Sequence, residues 1–114
     1  MKNDLNEVIS IVNEHVTQLG QWVASQQTKC KSLDDVDAVF KRAESNSKLG
    51  LAKLDALNLP AETKKHVDFV RLIFKNQIAA FNYGTKRNYR KAITVAKQTA
   101  KLAKSFERRI KKNV

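Results

Sequence analysis

Apolar residues recur every three or four positions in four stretches that, with short breaks, account for almost the whole of this chain. That period places each set on one face of a helix. Three glycines and one proline in 114 residues leave few points at which a helix is interrupted. No stretch alternates with the period of two that a half-buried strand needs. The expected fold is therefore all-α. Short connections favour antiparallel neighbours, hence an up-down-up-down four-helix bundle.

The boundaries follow from local chemistry. The first segment, about 4–28, carries Leu5, Val8, Val12, Val16, Leu19 and Val23, with Asn3 or Asp4 as its cap. The second, about 33–57, opens at Ser32, whose spacing to Asp35 resembles a capping box with Asp in place of Glu. Its stripe is Leu33, Val36, Phe40, Ala43, Ser47, Leu51 and Leu54. Pro60 suits a first helical turn and opens the third, about 60–82, with Val67, Val70, Phe74, Ile78 and Phe81. Asn82-Tyr83-Gly84 reads as its stop. The fourth, about 88–112, runs through Tyr89, Ile93, Ala96, Ala100, Ala103, Phe106 and Ile110. Its small residues would let a neighbouring helix approach closely. The four lie in a single domain, 1–114, since a chain of this size buries roughly 65% of its unfolded surface without staples.

Charge is distributed unevenly. From Lys64 to Val114 there are fifteen basic and two acidic side chains, whereas residues 1–40 hold three and six. The net +11 speaks to partners and association rather than to fold. Helix dipoles favour acids at N-termini and bases at C-termini, by about 0.3–1 kcal/mol each. Asp4, Glu7, Asp34, Asp35 and Asp37 obey that rule, as do Arg108, Arg109, Lys111 and Lys112. Lys86, Arg87, Arg90 and Lys91 do not, because they crowd the expected start of the fourth helix.

Unpaired main-chain N–H groups with Arg and Lys beside them suit phosphate or another anion. Up-down topology brings Lys29 and Lys31 to the same end, making a cluster of six cations. Tyr83 and Tyr89 flank the turn and are expected to offer stacking faces to single-stranded bases. On a wheel, Arg90, Lys97, Lys101, Lys104, Arg108 and Lys111 fall within an arc of about 80°. Such a ribbon suits a phosphate backbone, against the plainer reading of a solvated lysine face.

Signals for catalysis are weak, and the protein is not expected to be an enzyme. His15 falls in the core-facing series Val8, Val12, His15, Leu19, Trp22 and reads as a satisfied histidine at the core's edge. His66, among Lys64, Lys65 and Asp68, is expected at the surface. There is no metal-ligand spacing, carboxylate pair or glycine-rich phosphate loop, so neither a metal nor another cofactor is expected. The single cysteine, Cys30, lacks a partner acid or base and fits a reducing, cytoplasmic setting. Acids near the start argue against a signal peptide, and no apolar run reaches the ~20 residues of a membrane span.

Two functions follow. The first is a small nucleic-acid-binding bundle, monomer or homodimer, contacting the phosphate backbone of DNA or RNA. The second is an inhibitor, immunity or adaptor protein that docks on an acidic protein. In size, basic balance and expected architecture the chain is similar to small bacteriocin-immunity bundles. That likeness is of shape along the whole chain; no motif accompanies it, and it assigns no residue. Phage proteins that block host defence enzymes share the same coarse profile.

Overall fold

The computed structural model describes residues 2–112, with side chains for residues 5–110. Helix α1 (Lys2–Val12), a π-helical turn (Asn13–Thr17) and α2 (Gln18–Gln27) follow one another without a break and form one rod. Three more helices follow: α3 (Leu33–Asp55), α4 (Ala61–Thr85) and α5 (Tyr89–Lys112). The result is an all-α four-helix bundle with no strand among the described residues. No helix among them is long and apolar enough to cross a membrane.

Ser32 opens α3 as its sequence implies. Its hydroxyl accepts from the Asp35 N–H, and the Asp35 carboxylate accepts from the Lys31 N–H at 2.9 Å. Pro60 stands one residue before α4, as its cap, rather than inside its first turn. Helix α4 runs past the expected stop at Asn82-Tyr83-Gly84, to Thr85. Gly84 is helical and buried, and a Cβ there would lie 2.8 Å from the Phe40 ring. Its small size permits a close approach, and the left-handed position that ends α4 falls three residues later, on Arg87 at φ 60°. Arg87 N–H bonds to the Gly84 carbonyl and Asn88 N–H to the Tyr83 carbonyl, the paired 5→2 and 6→1 closure of a helix end.

The core has two apolar clusters. One joins Val8, Ile11, Val12, Leu54, Val67, Val70, Ile73, Phe74 and Phe106. The other joins Leu19, Val23 and Ala43, with Trp22, Val39 and Phe81 packed against them. Between them lies a polar layer to which every rod contributes: His15, Ser47, Gln77 and Thr99, all buried. Gln77 Nε2 donates to the His15 carbonyl at 2.7 Å and to Ser47 Oγ at 2.8 Å. His15 Nδ1 lies 2.7 Å from Asn46 Oδ1, and Lys53 Nζ lies 3.1 Å from His15 Nε2. The ammonium can only donate, so Nε2 accepts and Nδ1 carries the proton. His15 is the satisfied histidine its position implies.

His66 departs from expectation. It is 8% exposed rather than at the surface, and its Nδ1 has no hydrogen-bond partner among the described residues. Burial, with Lys65 and Arg109 nearby, lowers its pKa from the ordinary 6.5.

Candidate functional site: a basic ribbon beside an open apolar seam

Two of the three corners between adjacent helices matter for the basic cluster, and they meet at one end of the bundle. Arg87 Nη2 reaches Asp37 at 2.9 Å and Asp34 at 3.4 Å, tying the α4–α5 corner to the first turns of α3. The turn with Lys29 and Lys31 therefore shares an end with Lys86, Arg87, Arg90 and Lys91, as the topology implies.

The cluster is nonetheless not the one expected. Lys86 and Arg87 close α4, where its dipole favours cations, and do not belong to the first turn of α5. Asn88 precedes α5: its carbonyl accepts from Ala92 N–H, and its Oδ1 lies 3.5 Å from Lys91 N–H. Only Arg90 and Lys91 oppose the α5 dipole. Asp34 and Asp37 engage Arg87, whose guanidinium is held above its ordinary pKa chiefly by the Asp37 hydrogen bond. Lys29 lines a cleft with Trp22, Asp35 and Arg42, on the α2–α3 side.

The tyrosines are occupied as well. The Tyr89 ring centroid lies 6.3 Å from that of Phe40, and the half-buried side chain lines a hollow with Val36, Phe40 and Ile93. Lys91 Nζ lies 5.5 Å above the Tyr83 ring, covering the face expected to receive a base. Cys30 is half-buried and donates to the Gln26 carbonyl at 3.3 Å. No group of side chains suited to a metal occurs among the described residues.

The ribbon fares differently. Arg90, Lys97, Lys101, Lys104 and Arg108 are exposed, and none has a side-chain hydrogen-bond or ion-pair partner among the described residues. Lys111 falls beyond the described side chains. From Arg90 to Arg108 the ribbon runs about 27 Å at 1.5 Å per residue.

Beside it lies a feature that periodicity did not disclose. The expected α5 stripe is only partly covered: Phe106 is buried and Tyr89, Ala103 and Ile110 are half-buried, while Ile93, Ala96 and Ala100 are exposed, and Ala92 and Thr99 beside the stripe are buried instead. Phe106 joins the core cluster, and Ile110 packs against it, at the end near α1. Towards the α4–α5 corner the facing residues are small. Gly20 has nothing within 4 Å of where a Cβ would stand.

Between the first rod and α5 there remains a seam. One hollow of about 280 Å³ is lined by Val16, Gly20, Val23, Ala96, Ala100 and Ala103 over a floor of Gln77, Ala80 and Phe81. A second of about 500 Å³ continues it, sharing Val23, Ala80, Phe81 and Ala96 and reaching Leu33 and Ile93. Those two side chains, expected in the core, are 51% and 56% exposed. The aromatics elsewhere on the surface are capped instead: Arg42 lies 4.9 Å over Trp22 and Arg109 4.3 Å over Phe69.

Comparison with protein families, with curated proteins and with solved structures returned no match.

Proposed function

We propose that the protein binds nucleic acid through its phosphate backbone, using the exposed face of α5. The observation that carries this reading is the run of five exposed side chains without partners among the described residues, Arg90, Lys97, Lys101, Lys104 and Arg108, along one side of a single helix. Steps of three, four or seven residues set these cations about 4.5–10 Å apart along the axis, a geometry for following a charged backbone rather than reading bases. Lys86 and Arg87 contribute at most to the field, since Arg87 is already engaged by aspartates. Base stacking by Tyr83 and Tyr89 forms no part of the reading.

With about five phosphates neutralised, log K for duplex DNA falls with log salt with a slope of about −4 to −5. Titration of labelled duplex and single strands at two or more salt concentrations tests this. Absent or salt-independent binding removes the proposal.

A second reading, docking on an acidic protein partner as an inhibitor, immunity or adaptor protein does, is favoured by one observation. The apolar face of α5 is wider than the bundle covers, and the uncovered part runs alongside the ribbon. Recovery of a defined acidic partner that survives nuclease treatment separates this reading from the first.

A further inference from the structure

We infer that the seam between the first rod and α5 is a docking groove for one amphipathic helix with acidic residues along one flank. The inference rests on the second reading and fixes its site, its occupant and its orientation.

The groove has the composition of a bundle interior, but it lies open. Its floor is Ala80 and Phe81 of α4, and Leu33 and Ile93 stand half-exposed at its mouth. Gly20, Ala96 and Ala100 keep its walls low, so a helix backbone can approach closely. From Tyr89 to Ala103 it spans about 21 Å, the length of a helix of about 14 residues. The Tyr89 hydroxyl at its mouth is buried and has no hydrogen-bond partner among the described residues.

Its two lips differ in charge, and this selects the occupant. On the α5 side, Lys97 and Lys104 lie about 40–60° round the helix from Ala100, and Lys101 lies just beyond them. All three are exposed and unpartnered among the described residues. On the opposite lip stand Gly20 and Gln27, which carry no charge. A helix with a leucine stripe in the groove and glutamates on the flank towards α5 satisfies both features. A second copy docked seam to seam does not, because it sets the lysine ribbon against either the other ribbon or the uncharged lip, and in neither case against acids.

Two fluorescent 18-residue peptides test this with the full chain. Both carry leucine at i, i+3, i+4 and i+7 spacing, one with glutamates and the other with lysines along one flank. A third keeps the glutamates and replaces the leucines with serine. Anisotropy at about 0.1 M salt is expected to show the leucine–glutamate peptide binding at least tenfold more tightly than either control. Ala100→Trp and Gly20→Leu, which fill open space, are expected to weaken it at least tenfold while helix content by circular dichroism is retained. Lys101→Glu lowers the preference for the glutamate flank.

Equal binding of the serine peptide means that charge alone is recognised and overturns the groove. So does indifference to flank charge, or unchanged affinity in both filled variants. Sedimentation showing a dimer that Ala100→Trp dissociates assigns the groove to a second copy and overturns the proposal too. If the peptides fail while a defined acidic partner is still recovered after nuclease, the groove is wrong and the second reading stands.

Discussion

The side-chain amide of Gln77 donates to the main-chain carbonyl of His15 across 2.7 Å, joining α4 to the π-helical turn of the first rod. The two residues are 62 positions apart. In the π turn the Gln18 N–H bonds to the Asn13 carbonyl, five residues back, so the regular ladder is interrupted where His15 enters the core. Gln77 supplies a donor there and bonds Ser47 with its other hydrogen. A satisfied polar layer between two apolar clusters favours one register of the four rods, since a slip would strand its donors and acceptors in hydrocarbon.

Gln77→Leu keeps the volume roughly but leaves the His15 carbonyl and Ser47 Oγ without that donor. A buried group stripped of its partner costs about 1–3 kcal/mol. We expect a loss of about 2 kcal/mol in urea unfolding, with a fall in Tm of roughly 8 °C for a domain of this size. An unchanged midpoint would show that the layer is not a determinant of stability.

Two glycines should respond to alanine in opposite directions. At Gly50 an added Cβ would lie 2.6 Å from His15 Cβ and 2.7 Å from the Phe74 ring, so Gly50→Ala should destabilise by about 1–3 kcal/mol. At Gly20 it meets nothing within 4 Å, and alanine should stabilise the helix by about 0.5–1 kcal/mol. Thermal unfolding of the pair checks both signs.

The pH profile should carry the mark of His66. Its pKa is lower in the folded chain than the ordinary 6.5, because burial and the charges of Lys65 and Arg109 oppose protonation. Below pH 6.5 the unfolded chain therefore binds a proton that the folded chain refuses. Stability is full above that value and falls as pH drops through 6.5 towards the folded pKa. Urea midpoints between pH 8 and 5.5 should show this decline, and His66→Gln should flatten it.

Arg87 and the α5 ribbon should separate in binding experiments. Arg87 holds a left-handed conformation that glycine adopts freely, and its guanidinium is committed to Asp34 and Asp37. Arg87→Gly should leave the affinity for duplex DNA within about threefold, apart from the loss of one distant charge. Lys97→Glu with Lys101→Glu should reduce it by well over tenfold at about 0.1 M salt and flatten the salt slope. Equal effects of the two changes would return the binding site to the corner.

Much of the architecture was legible beforehand because the signals are local. Ser32 with Asp35, the 3.6-residue stripes and Pro60 act within one or two turns, and they mark the helices to within a few residues. Gly84 misled for a physical reason: glycine serves both as a helix terminator and as a point of close contact, and only the position of the Phe40 ring distinguishes the two. That single difference moved Lys86 and Arg87 from the start of one helix to the end of another and removed half of the apparent dipole conflict. His66 misled through its charged neighbours in sequence, which are exposed while its own side chain points inward.

The chain by itself determines four amphipathic helices, their order, and the cationic face of α5, since each depends on periodicity and composition along one segment. The partners of those faces are another matter. That Asp34 and Asp37 capture Arg87, that Tyr89 turns onto Phe40, and that Ile93, Ala96 and Ala100 remain uncovered were decided by tertiary packing. Periodicity gives the direction of an apolar face but not how far away the neighbouring helix stands. That distance is set by side-chain volumes on both helices, large at Phe106 and Ile110 and small at Gly20, Ala96 and Ala100, and it leaves the seam open where the small residues meet.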